Sequence, residues 1–126
     1  MALAPETVVK RLPRTAGCPT ELAMTLLGGK WKTVILARLK DGPLRYGELR
    51  RLVPRLSDKV LTQRLADLQQ GGLVARETIA GEARYRLTEQ AQALRPLLQH
   101  LYDWGEVQAR RLGVAIETAQ EEGADA

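Results

Sequence analysis

Pro54-Arg55-Leu56-Ser57-Asp58-Lys59-Val60-Leu61-Thr62-Gln63-Arg64-Leu65-Ala66-Asp67-Leu68-Gln69-Gln70-Gly71-Gly72 contains the pattern from which the rest of the chain is best read. Ser57 is placed to cap a helix, because its hydroxyl can accept from a free N–H of the first turn. Leu61, Leu65 and Leu68 fall at i, i+4 and i+7 and share one face of a helix predicted over 58–70. At about 100° per residue, Lys59, Gln63, Ala66 and Gln70 lie on the opposite face. Gly71-Gly72 closes the helix. A short helix upstream, from Gly47 to about Val53 and stopped by Pro54, makes a pair joined by the turn Pro54-Arg55-Leu56-Ser57.

Outward from that pair the pattern continues. Downstream, residues 73–78 and 84–88 are strand candidates joined by a turn around Ala80-Gly81-Glu82. Tyr85 and Leu87 alternate with Arg84 and Arg86, which places the two arginines on one side. A helical stretch from near Thr88 extends beyond Arg111, with Pro96 expected to kink it. Upstream, Leu44-Arg45-Tyr46 is expected as a minor strand. A helix over about Lys30–Lys40 carries Trp31, Val34, Ile35 and Leu39, with Trp31 read as a core anchor. The first helix opens at Cys18-Pro19-Thr20-Glu21, proline being favoured at the first helical position. Leu22, Met24, Leu26 and Leu27 give that helix its apolar side until Gly28-Gly29.

Composition limits what such a chain does. Its 126 residues suit one domain, and 44% hydrophobic against 27% charged residues supports a buried core. No run approaches the roughly 20 apolar residues of a membrane span, and residues 1–17 hold no signal-peptide core, so a cytoplasmic protein without membrane contact is expected. One cysteine, Cys18, and one histidine, His100, leave no disulfide framework, no cysteine zinc site and no catalytic triad. No catalytic residue, metal or cofactor is assigned, and His100 is given no role.

Charge is segregated. From Lys30 to Arg64 there are 10 Lys or Arg against 3 acids, a net of +7, within a total of +4. From Asp103 to Ala126 there are 6 acids against 2 arginines, a net of −4. A basic segment around a helix pair, followed by a basic hairpin, describes a winged helix-turn-helix, mainly α with a small β-hairpin. In that arrangement the second helix enters the major groove of duplex DNA and flanking cations neutralise phosphates. The candidate DNA contacts are Arg45, Arg50, Arg51, Arg55, Ser57, Lys59, Thr62, Gln63, Arg64 and Arg84. Arg64, nearer the core boundary, has the alternative of pairing with an acid. Aromatic residues at 4% without phenylalanine argue against RNA recognition by base stacking.

These same segments resemble the HxlR-type winged-helix transcriptional regulators. The resemblance runs from Cys18 to Glu106, 89 of 126 residues. It is carried by Cys18-Pro19, Leu27-Gly28-Gly29-Lys30-Trp31, Gly42-Pro43-Leu44-Arg45-Tyr46, Glu48-Leu49-Arg50-Arg51 and Leu61-Thr62-Gln63-Arg64-Leu65. Gly72-Leu73-Val74, Tyr85-Arg86-Leu87-Thr88 and Trp104-Gly105-Glu106 complete it. It implies a homodimeric bacterial regulator, joined through its first and last helices, on a roughly palindromic operator. It also implies that Cys18 senses oxidants or electrophiles. Two features depart from the family pattern: the loop between Arg76 and Tyr85 is short and lacks proline, and Ala91 stands where glycine is usual.

Physical arguments bear on both implications. Leu94, Leu97, Leu98, Leu101, Tyr102 and Trp104 give the last helix more apolar surface than one core absorbs, so a second copy is the expected partner. Cys18 lies at a helix start, where the dipole lowers a thiol pKa; the alternative is a small buried apolar residue. With no second cysteine, oxidation ends in an intersubunit disulfide, a mixed disulfide or a higher oxide. The organisation expected is an arm over 1–17, a winged helix-turn-helix domain with dimerisation helices over 18–112, and an acidic tail over 113–126. A protein-interaction module on the same fold is the alternative to a DNA-binding regulator.

Overall fold

The protein is described by a computed structural model that covers residues 14–117; the rest of the arm (1–13) and of the acidic tail (118–126) lies outside the described residues. Six helices and one hairpin follow in the order α1 (Pro19–Leu27), α2 (Gly29–Leu39), α3 (Tyr46–Leu52), α4 (Asp58–Gln70), β1 (Val74–Ile79), β2 (Glu82–Leu87), α5 (Glu89–Gln92) and α6 (Arg95–Leu112) among those residues.

The leucine spacing of α4 does what its period requires. Leu61, Leu65 and Leu68 are all buried, and they join Ile35, Leu36 and Leu39 of α2 and Leu49 of α3 in one core. Val53 and Leu56 seal the turn between α3 and α4, while Val74, Leu87, Ala91 and Leu98 bring in the hairpin and the last two helices. Each fully buried leucine contributes about 1.5–3 kcal/mol relative to exposure, so α4 is anchored by packing more than by helix propensity. Leu36, which the expected face of α2 omitted, is completely buried. Trp31 packs against the core on one side and remains half-exposed on the other.

The boundaries are set by local chemistry. Ser57 Oγ accepts from the Val60 N–H at 3.1 Å, the cap that its hydroxyl was expected to form. Gly28 and Gly29 have φ of 53° and 57°, a left-handed region costly for residues with a Cβ, and they let α1 end and α2 begin without a loop. Leu44 is not part of a strand: it forms a single antiparallel bridge to Tyr85, with N···O distances of 2.9 and 2.8 Å, and Tyr46 already belongs to α3. Glu48 reaches back to the Arg45 N–H at 2.8 Å, so α3 starts earlier than expected.

Pro96 does more than kink a continuous helix. It lacks the N–H that would bond the Gln92 carbonyl, and the helix is interrupted at Ala93-Leu94. Pro96 then sits in the first turn of α6, where no such N–H is required. Thr88 secures the preceding piece: its hydroxyl donates to the Gly72 carbonyl at 2.7 Å and accepts from the Ala91 N–H. The base of the hairpin is thereby tied to the end of α4.

The hairpin pairs Ala75 with Arg86, Glu77 with Arg84 and Ile79 with Glu82, so Arg84 and Arg86 do share a face. The two-residue turn is Ala80-Gly81, with φ of 53° and 82°. Both values are positive, as a type I′ hairpin turn demands, and Ala80 is the one non-glycine residue with positive φ among the described residues. Replacing it relieves that cost. Ala80→Asn is expected to raise unfolding stability by about 0.5–1 kcal/mol with no change in DNA binding, read by thermal or urea unfolding; a lower midpoint would show that the turn is not strained.

Candidate nucleic-acid interface

The exposed side of α4 is formed as the packing dictates. With the three leucines turned into the core, Lys59, Thr62, Gln63 and Gln70 are exposed and Ala66 is half-buried. Gln63 Nε2 lies 3.4 Å from Asp67 Oδ1, and Arg64 Nη1 is 3.4 Å from Asp67 Oδ2. Arg64 is therefore half-buried and paired with an acid, the alternative its position suggested, and its buried Nε has no partner among the described residues.

At the N-terminus of α4, Asp58 joins the two helices of the motif. Its Oδ1 accepts from the Tyr46 hydroxyl at 2.8 Å and from Arg50 Nε at 2.9 Å. Arg50 thus belongs to a tie between α3 and α4, one that no periodic pattern reveals because its partners are eight residues apart. The Tyr46 hydroxyl and the Arg50 guanidinium hold the Asp58 carboxyl below the usual carboxylate range. Tyr46 is shifted upward, first by burial and then by the Asp58 carboxylate, against the opposing effects of the Thr62 hydroxyl and Arg50.

A second network joins α3 to the hairpin. Arg45 pairs with Glu48 at 3.1 Å and with Glu82 at 3.3 Å, and Arg84 pairs with Glu82 at 3.2 Å and with Glu48 at 3.8 Å. Backbone and side-chain hydrogen bonds from Arg45 lower the Glu48 pKa, aided by the charges of Arg45 and Arg84, while the hydrogen bond and charge of Glu48, followed by those of Glu82, raise that of Arg45. Arg86 is held by Glu77 at 2.9 Å. The face carrying both arginines is consequently interleaved with acids.

The ten candidate contacts therefore divide by their partners. Arg45, Arg50, Arg55, Arg64 and Arg84 each face a carboxylate, Arg55 through Glu117 at 3.0 Å. Ser57 caps α4. Arg51 and Lys59 are exposed and have no ion pair among the described residues. Exposed pairs are worth only about 0–1 kcal/mol, so another anion can replace the carboxylates beside Arg45, Arg55 and Arg84 at small cost. The acids Glu48, Asp58, Glu82 and Glu117 were not anticipated as parts of this surface. Only Asp58, as a first-turn acid after a capping serine, carried a local signal.

Cys18 occupies the N-cap position of α1 and is exposed. Its thiol is held below the ordinary range, chiefly by the backbone N–H of Glu21 and then that of Thr20, with the Thr20 hydroxyl adding to them and desolvation opposing. Within the protomer Cys18 is therefore not part of the buried core. No group of three or more potential ligands is arranged to hold a metal, and no helix is long and apolar enough to cross a membrane, among the described residues.

A helix pair with a capped, leucine-backed second helix, followed by a hairpin bridged to the loop before α3, is a winged helix-turn-helix. The profile of the HxlR-like helix-turn-helix family matches residues 26–112, and the chain belongs to that family. It is 39% identical over 93 residues to the uncharacterized HTH-type transcriptional regulator YdeP of Bacillus subtilis (strain 168), covering 71% of this chain and 73% of that protein. Among solved structures it is similar to the redox regulator HypR in its reduced form, with a TM-score of 0.67, 32% identity and coverage of 78% of this chain and 100% of HypR. It is also similar to quinone-bound YodB from B. subtilis, with a TM-score of 0.58, 37% identity and coverage of 71% and 98%. The chain is accordingly a helix-turn-helix transcriptional regulator and not an enzyme.

The lowered carboxyl pKa values of Asp58 and Glu48 fix the sign of an acid effect. Unfolded, these groups titrate near about 3.9 and 4.3. Their stabilisation is complete above those values and is lost as pH falls through the lower folded values. The urea midpoint is expected to fall between pH 5 and pH 3, and less steeply in Asp58→Asn; parallel slopes would remove Asp58 from the tie.

Proposed function

We propose that the chain acts as a homodimer on duplex DNA, with α4 of each copy in the major groove of one half of a roughly two-fold operator. The observation that carries this reading is the outward side of α4. Its polar residues Lys59, Thr62 and Gln63 are presented by a helix whose other side is locked into the core. Gln63 can read a base edge, while Arg51, Arg55, Lys59 and the hairpin arginine Arg84 contact phosphates. Arg45 contributes after exchanging its carboxylate partners, whereas Arg50 and Arg64 act by holding α4 in position through Asp58 and Asp67. A regulator of this kind works in the cytoplasm, where a prokaryotic chromosome lies.

The second copy is supported by apolar surface with no cover in one protomer. Leu22, Met24 and Leu26 of α1 are exposed, as are Leu97, Leu101, Tyr102, Trp104 and Val107 of α6; Trp104 is 65% exposed. Exposed apolar side chains in this number are suited to an interface, and a two-fold dimer suits a two-fold operator. Domain limits follow the same logic: residues 18–112 form the DNA-binding and dimerising unit, flanked by an arm over 1–17 and an acidic tail over 113–126.

In a gel shift at moderate salt, the chain is expected to bind its own promoter more tightly than random duplex. Gln63→Ala relaxes the base preference by about 1–3 kcal/mol, whereas Arg51→Ala weakens all duplexes alike and reduces the salt slope by about 1. Equal affinity for promoter and random duplex would sink the operator reading and favour a protein-interaction module.

Cys18 is proposed as the sensor of an oxidant or small electrophile. Its exposed, acidified thiol supports the reading, as does the similarity to the redox regulator HypR and to quinone-bound YodB. Alkylation of the native chain is expected to reach half its maximal rate below the free-cysteine value of about pH 8.5. Cys18→Ser should retain DNA affinity and lose the response to oxidant. A variant that still responds would discard the assignment.

A further inference from the structure

Between α2 and the turn joining α3 to α4 lies a groove of about 410 Å³. Trp31, Val34 and Pro54 line it, and Lys30, Arg38 and Arg55 supply its cations. Lys30 Nζ sits 4.6 Å from the centre of the Trp31 ring. After α6 the chain turns at Gly113, whose φ is 70°, and Val114–Glu117 form the remaining wall of the groove. At its end Glu117 Oε1 meets Arg55 Nη2 at 3.0 Å.

The groove and the cationic turn beside it therefore already hold a piece of the C-terminal segment. From Glu117 to Ala126 the sequence has 4 acids (Glu117, Glu121, Glu122, Asp125) and no Lys or Arg. Arg51 and Lys59, four residues either side of Arg55, have no ion pair among the described residues. Resting on the DNA-binding reading, we propose that this surface is a docking site for the chain's own acidic C-terminal segment, which competes with DNA phosphates for Arg55 and its neighbours. Val114 and Ile116 set the segment against the Trp31 side, and Glu117 occupies the guanidinium that a phosphate would otherwise take. Tethering makes the encounter intramolecular, so contacts that are individually weak act at high effective concentration. DNA, with many phosphates, displaces the segment at a cost that diminishes as salt screens the acids.

Two measurements on the full chain test this. In the absence of DNA, Glu117→Gln and the variant Glu117→Gln/Glu121→Gln/Glu122→Gln/Asp125→Asn are expected to shift the NMR signals of the Arg55 Nε–H and the Trp31 indole N–H. Unmoved signals overturn the docking. With duplex DNA at about 50 mM salt, the fourfold variant is expected to bind every sequence about tenfold tighter, an advantage that shrinks at about 300 mM. A control with the same charge change elsewhere (Asp41→Asn/Glu89→Gln/Asp103→Asn/Glu106→Gln) gains less than about threefold. Equal gains in the two variants overturn competition at this site in favour of net charge. Failure of every form to bind any duplex overturns the DNA reading together with the competition, a result distinct from the other two.

Discussion

The burial of Leu61, Leu65 and Leu68 against α2 and α3 is the constraint on which the rest of the structure depends. A helix held by three leucines at this spacing cannot rotate about its axis without exposing apolar surface, so its outer residues are presented in one orientation. The Ser57 cap and the Asp58 tie to Tyr46 and Arg50 fix where the helix begins. The Thr88 hydroxyl at Gly72 fixes how the hairpin leaves its other end. All three leave α4 little freedom to shift, because a helix fixed at both ends and packed into a core moves only if the core moves with it.

The basic surface is not a field of unpaired cations. Most of its arginines sit beside carboxylates, which keeps the motif assembled in the absence of DNA and spares the core from like-charge repulsion. The pairs at Arg45, Arg84 and Arg55 are exposed enough to exchange partners. Asp58 differs, since its oxygen serves a phenol and a guanidinium together and both belong to the packing between α3 and α4. The same charges thus join the two helices of the motif and tie the hairpin to them.

The two ends of the domain are unlike its centre. On α1 only Leu27 is buried, and on α6 only Leu98, so the apolar sides of both helices are uncovered within the protomer. Cys18 stands at the start of one of these helices, with its thiol acidified by first-turn N–H groups.

Much of this was legible in the chain alone. Periodicity fixed α4, because the packing of a short amphipathic helix depends only on which residues recur every three to four positions. Ser57, Gly28-Gly29 and the β alternation of Arg84 and Arg86 were equally plain, each being a local conformational preference. Pro96 was recognised as a disturbance, but its strength was not, because whether a helix bends or breaks depends on what packs around it. The strand expected at Leu44 shrank to a single bridge for a similar reason: Glu48 recruits the Arg45 N–H and starts α3 instead. Only the fold could bring Asp58 to Arg50, Glu82 to Arg45 and Glu117 to Arg55, since charge attraction has no period and partners distant in sequence meet only when the core has set the helices in place.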